Sequence, residues 1–157
     1  MVFSSMTFVV FFLPIVILLY FICKNQHYRN GVLLVASLLF YSWGEPKWIF
    51  AMLFTVTVNY LCAVLIDRTD GQKLKRLWLF IGVAVSLGFL FYFKYSGFVM
   101  DSVTGLFGVD NPFKAPVLPI GISFYTFQVL TYTVDVYYGK VKLQKNYAKL
   151  LLYVSFF

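Results

Sequence analysis

Four side chains in one otherwise apolar stretch could carry polar chemistry. Residues 117–139 read VLPIGISFYTFQVLTYTVDVYYG, and within them stand Tyr125, Gln128, Tyr132 and Asp135. At helical spacing these four, with Gly121, fall within an arc of about 80°. Ile122, Leu130 and Val134 lie away from it. Two phenols, an amide and a carboxylate on one stripe can donate to and accept from a polar substrate. They can equally hydrogen-bond to neighbouring helices and fix packing. In either case the stripe must face the protein interior or a wet cavity, because a carboxylate exposed to hydrocarbon costs at least about 2.5–3.5 kcal/mol at the bilayer centre. Pro119 and Gly121 mark a bend or helix start just before it, since proline fits the first helical turn.

Little else in the sequence offers chemistry. His27 is the single histidine and sits beside Lys24 and Arg29 in the polar stretch 23–30, where a solvated or headgroup-level role is expected. Cys23 and Cys62 have neither metal-ligand nor redox spacing and read as small apolar side chains. No metal site and no catalytic residue is assigned within the chain.

The elements that carry these residues follow from composition. Of the 157 residues 61% are hydrophobic and 12% charged, about half the usual charge. So few charges cannot solubilise a domain of this size. A soluble enzyme, a disordered segment and a nucleic-acid module are all excluded, and an all-α, polytopic transmembrane bundle remains. Crossing about 30 Å of hydrocarbon takes roughly 20 helical residues. Charge-free runs place spans at 6–22, 31–43, 48–66, 77–93 and 117–138, with a partial span from 150. Pro14 should kink the first. Trp43 and Trp48 flank the turn at Glu45 and Pro46 in the manner of an interfacial aromatic belt. Val99, Val103 and Leu106 suggest a short interfacial helix over 97–107.

The net charge of +7 is an orientation signal. Loops 23–30, 67–76 and 139–149 together hold ten Lys and Arg, while the opposite side holds only Lys47, Lys94 and Lys114. The positive-inside rule then places the three basic loops in the cytoplasm and the N-terminus outside.

Several motifs, in order along the chain, resemble one family. Met1-Val2-Phe3-Ser4-Ser5 with Phe11-Phe12-Leu13-Pro14, Ala36-Ser37-Leu38-Leu39-Phe40-Tyr41-Ser42-Trp43-Gly44-Glu45-Pro46, Lys94-Tyr95, 118–128 (LPIGISFYTFQ) and Val134-Asp135-Val136-Tyr137 are similar to segments of bacterial membrane-bound O-acyltransferases. The nearest branch is the one that acetylates exported polysaccharides such as alginate. The exporters of D-alanine for teichoic acids and the peptidoglycan O-acetylases are close to it. The resemblance implies a helical bundle around a tunnel, with Tyr125, Gln128, Tyr132 and Asp135 as candidate tunnel lining. No cofactor is bound. The acyl donor, acetyl-CoA or an acyl-carrier thioester, is a substrate arriving from the cytoplasm. The implied partners are membrane lipid and a periplasmic or extracellular acyltransferase that completes transfer; nucleic acid is not among them. The cell location implied is the bacterial cytoplasmic membrane.

The family's general base is a tunnel histidine, and His27 matches no such motif. The apolar run from Leu150 is also only eight residues long. The expectation is therefore an N-terminal piece of a longer protein, inactive alone. A transporter or channel module with a polar fifth span, and a scaffold without chemistry, are the alternative readings.

Overall fold

The structure is a computed structural model that describes residues 8–22, 24–44, 46–107 and 121–156. Among the described residues every regular element is helical. A π-helical turn at Phe8–Phe12 leads into α1 (Leu13–Ile22). There follow α2 (Gln26–Gly44), α3 (Ile49–Arg68), α4 (Gln72–Phe107), α5 (Ile122–Tyr137) and α6 (Tyr147–Ser155). Pro14 explains the wide turn before it. Without an N–H it gives the Val10 carbonyl no partner, so the ladder is interrupted there.

Two packing groups divide the chain, Met1–Val56 with Gln144–Phe157, and Thr57–Leu143. In the first, α1 and α2 form an antiparallel hairpin. At one end Phe8 and Phe12 pack on the Phe40 ring, with centroids 4.8 and 5.7 Å away. At the other, the Arg29 guanidinium lies 4.8 Å from the Tyr20 ring centre. Asn25 starts α2 as its cap, its side-chain oxygen accepting from the His27 N–H at 3.0 Å. Asn146 does the same for α6, accepting from the Ala148 N–H at 3.0 Å. A cavity of about 120 Å³ is lined by residues of both first turns, so α2 and α6 begin at the same end.

In the second group, residues 69–71 connect α3 to α4. The two helices run antiparallel, with Gly82 of α4 against Asn59 and Cys62 of α3. Along α3 in this group, Asn59 and Ala63 stand four residues apart, and both are buried. Gly82 and Ser86 repeat likewise on α4 and are buried too. Small side chains at that spacing let helix backbones approach, as in membrane interfaces.

Large apolar side chains point outward. Leu18, Phe21 and Ile22 on α1, Phe50 on α3, Phe80 and Phe98 on α4 and Phe124 on α5 are each about two-thirds exposed or more. A water-soluble surface does not tolerate so much apolar area. A lipid-facing one requires it. Of the described helices, Ile49–Arg68 and Gln72–Leu106 are long and apolar enough to cross a bilayer, and Val10–Ile22 is a shorter apolar one. The chain is an all-α membrane protein.

The observed bounds depart from the expected ones in three places. First, the span at 77–93 and the interfacial helix at 97–107 are one helix, α4. Its 36 residues extend about 54 Å, with no proline between Phe93 and Phe107 to interrupt the backbone. Lys94 therefore lies within a continuous helix. Second, His27 is not in a loop: α2 starts at Gln26, capped by Asn25. Third, the last basic stretch turns helical at Tyr147.

Candidate functional site

Helix α5 carries all four candidate residues. Gly121 stands at its N-cap with φ 74°, a left-handed conformation in which glycine has no Cβ to strain. Pro119 lies outside the described residues. At the other end Gly139, φ 70°, closes the helix. The Lys140 N–H reaches the Asp135 carbonyl at 2.9 Å, and the Gly139 N–H reaches that of Val136 at 3.1 Å. This pair of bonds is the Schellman closure.

Tyr125 and Tyr132 are buried, 3% and 9% exposed. Gln128 and Asp135 are half-buried and lie on the flank of the helix. The buried face is broader than the polar stripe and rotated from it. It includes Ile122, Thr126, Val129, Thr133 and Val136, and is centred about 90° from Gly121. Phe124, Phe127 and Thr131 form the exposed face. The stripe thus begins inside the bundle at its two phenols and emerges at its margin with the amide and carboxylate.

Asp135 stands in the last turn of α5, where the helix dipole disfavours a negative charge by about 0.3–1 kcal/mol. Its carboxylate has no ion pair or hydrogen bond among the described residues. Nothing in the helix itself calls for an acid there. Lys140 and Lys142 just beyond give the favourable sign.

The orientation of α5 is fixed by a polar cluster that sequence reasoning missed. The Asn59 amide on α3 donates to the Ser86 hydroxyl on α4 at 2.6 Å. The Thr133 hydroxyl on α5 donates toward the Asn59 Oδ1 at 3.1 Å. That same hydroxyl lies 3.1 Å from the Val129 carbonyl. All three residues are fully buried. They join three helices at one point, and Thr133 neighbours Tyr132 in the chain. The available signal was a lone asparagine in the charge-free run 48–66, flanked at four-residue spacing by Thr55 and Ala63. Among the described residues, no group of three His, Cys, Asp or Glu is placed to hold a metal ion.

Fold and buried polar stripe together define a multi-pass, all-helical membrane protein with polar groups in its interior. Comparison with known proteins then narrows the class. A probable alginate O-acetylase of Pseudomonas putida is 40% identical over 164 residues, covering all of this chain and 33% of the relative. The corresponding protein of Pseudomonas aeruginosa is 37% identical over 163 residues, covering all of this chain and 31% of that relative. A peptidoglycan O-acetyltransferase of Helicobacter pylori is 31% identical over 141 residues, covering 87% of this chain and 27% of the relative. No family model and no solved structure matches the chain. This chain is a relative of the alginate O-acetylases throughout its length, and it spans about a third of the length of the curated relatives it matches.

Proposed function

We propose that this chain is part of a membrane-bound O-acyltransferase that moves an acyl group, in the first place acetyl, from a cytoplasmic thioester towards hydroxyls of an exported polysaccharide. The observation that carries the proposal is similarity over the whole chain to proteins named for O-acetylation of alginate, with a peptidoglycan O-acetyltransferase also similar. Attack of a hydroxyl oxygen on the acyl carbon forms a C–O bond and breaks the C–S bond. The hydroxyl proton must go to a base, and the thiolate leaves. This chain's contribution is the wall of the substrate path. Tyr125 and Tyr132 are suited to donate to a carbonyl or sugar oxygen. Gln128 can donate or accept, and Asp135 can accept from a hydroxyl. The base comes from elsewhere in the protein, and a second, extracytoplasmic acyltransferase completes transfer to the polymer.

The membrane in this reading is the bacterial cytoplasmic membrane, with the basic loops on the cytoplasmic side. The common end of α2 and α6 is in keeping with it, since Arg29 at the start of α2 and Lys149 at the start of α6 then share one face. The test replaces side chains in the full-length protein and measures O-acetyl content of the exported polysaccharide per unit of membrane-inserted protein. Gln128→Ala and Asp135→Ala should each lower acetylation more than Ile122→Ala and Leu130→Ala do. Equal losses in all four, tracking equal losses in membrane abundance, would reduce the stripe to a packing role. Normal acetylation in a strain deleted for the protein would remove the proposed activity.

A further inference from the structure

The cavity between the first turns of α2 and α6 has a one-sided chemistry. Its polar lining is His27, Asn30, Asn146 and Lys149, with Gly31 and Leu34 beside them. Both asparagine oxygens are already engaged. Asn146 Oδ1 accepts from the Ala148 N–H at 3.0 Å, and Asn30 Oδ1 from the Gln26 side-chain amide at 3.5 Å. Each also brings an amide NH2, a donor, while one lone pair of its oxygen is taken. Lys149 adds an ammonium, which only donates, and forms no ion pair among the described residues. His27 can donate from a ring nitrogen and carries positive charge when protonated.

No carboxylate lines the cavity. The sequence has none within 1–44 or 144–157, although these stretches carry Lys24, Arg29 and Lys145 besides Lys149. An ammonium and amide and imidazole donors, with no carboxylate among them, fit an oxyanion. The cavity also lies where the apolar chain gives way to charge. Phe21 and Ile22, about two-thirds exposed at the end of α1, precede His27 by only a few residues. That level in a bilayer is occupied by lipid phosphate, and basic pockets between membrane helices bind anionic headgroups.

We propose that this cavity binds a phosphate group, presented by the headgroup of an anionic phospholipid lying against α1 and α2. The proposal is independent of the acyl-transfer reading, because it uses neither α5 nor its polar stripe.

The test is lipid retention. The whole chain is purified into phosphatidylcholine nanodiscs doped with phosphatidylglycerol, and bound phosphatidylglycerol is titrated at physiological ionic strength. Lys149→Gln should weaken binding about fivefold, the worth of one juxtamembrane lysine. Asn146→Ser should weaken it as well, since serine keeps the helix cap but removes the amide donor. Lys73→Gln makes the same charge change in the first turn of α4 and should alter binding less than about twofold. Circular dichroism of each variant checks that the helices are intact. A second arm adds millimolar inorganic phosphate to protein in pure phosphatidylcholine. Phosphate binding with the same Lys149 dependence, and without preference for phosphatidylglycerol, would keep the phosphate site but assign it a soluble ligand. Equal losses for Lys149→Gln and Lys73→Gln would reveal only a diffuse basic surface and overturn the site. So would equal retention of the two lipids without any phosphate binding.

Discussion

If Asn59 clamps α3, α4 and α5 together, its bonds to Ser86 and to Thr133 should separate in a double-mutant cycle. Interhelical hydrogen bonds in membrane proteins average about 0.6 kcal/mol, with a maximum near 1.7. The 2.6 Å bond from the Asn59 amide to Ser86 should lie near the upper value. The Thr133 bond should lie lower. Its single proton is shared between the Asn59 oxygen and the Val129 carbonyl, both at 3.1 Å, so losing one leaves the other. Thr133→Val is therefore expected to cost about 0.5 kcal/mol. Ser86→Ala should cost more, about 1–2 kcal/mol, because a buried amide N–H loses its acceptor. Asn59→Ala removes both bonds and leaves a void, for about 2 kcal/mol or more. The assay is reversible unfolding in mixed micelles with increasing SDS, followed by circular dichroism. The coupling between Asn59→Ala and Ser86→Ala should be about 1–1.5 kcal/mol, and that between Asn59→Ala and Thr133→Val about 0.5. A coupling to Ser86 below the additivity error of about 0.3 kcal/mol would refute the clamp. A gain in stability from Asn59→Leu would show instead that the seam is held by shape alone.

Three further outcomes follow from local geometry. A methyl group on Gly82 would meet the Asn59 Oδ1 at 3.3 Å and Cys62 at 3.5 Å, whereas nothing lies within 4 Å of one on Gly88. Both sites gain the same helix propensity, so Gly82→Ala should be less stable than Gly88→Ala by about 1 kcal/mol in the same unfolding assay. Gly139 closes α5 at φ 70°; Gly139→Ala should lower stability by about 1 kcal/mol and Gly139→Asn by less, read as shifts in the SDS midpoint. Cysteines placed singly over 68–76 and over 24–30 should react with membrane-impermeant maleimide only after the cytoplasmic face is opened. Labelling of 68–76 in intact cells would invert the proposed orientation.

The fold class was legible because it depends on a quantity that a sequence carries directly, the length of chain without charge. The bounds of α4 were not. Lys94 ends a hydrophobic run, but a lysine does not end a helix. Backbone hydrogen bonding in α4 continues past Lys94 and even through Gly97 and Gly105, and hydropathy marks the membrane's edge and not the helix's. The same distinction explains His27. Charge and polarity made 23–30 resemble a loop, yet Asn25 supplies a side-chain oxygen for the first free N–H and the helix begins at once.

The polar stripe shows why one helix read alone gives only part of a site. Helical spacing brings Tyr125, Gln128, Tyr132 and Asp135 onto one strip, but which strip is buried is decided by α3 and α4. Those neighbours present Asn59 and Ser86, and Thr133 reaches Asn59. That contact rotates the interior face toward Val129 and leaves Gln128 and Asp135 at its margin. The Asn59 partnerships join residues 27 and 74 positions apart in sequence, a separation at which no single-helix periodicity operates. The consequence for chemistry is specific. The buried hydroxyls and amide of the clamp are held by one another and serve rigidity, whereas a half-buried carboxylate in the unfavourable last turn of α5 serves no local purpose. If the stripe touches a substrate, Asp135 is the residue whose isosteric change to asparagine should reduce transfer while leaving the unfolding midpoint unmoved.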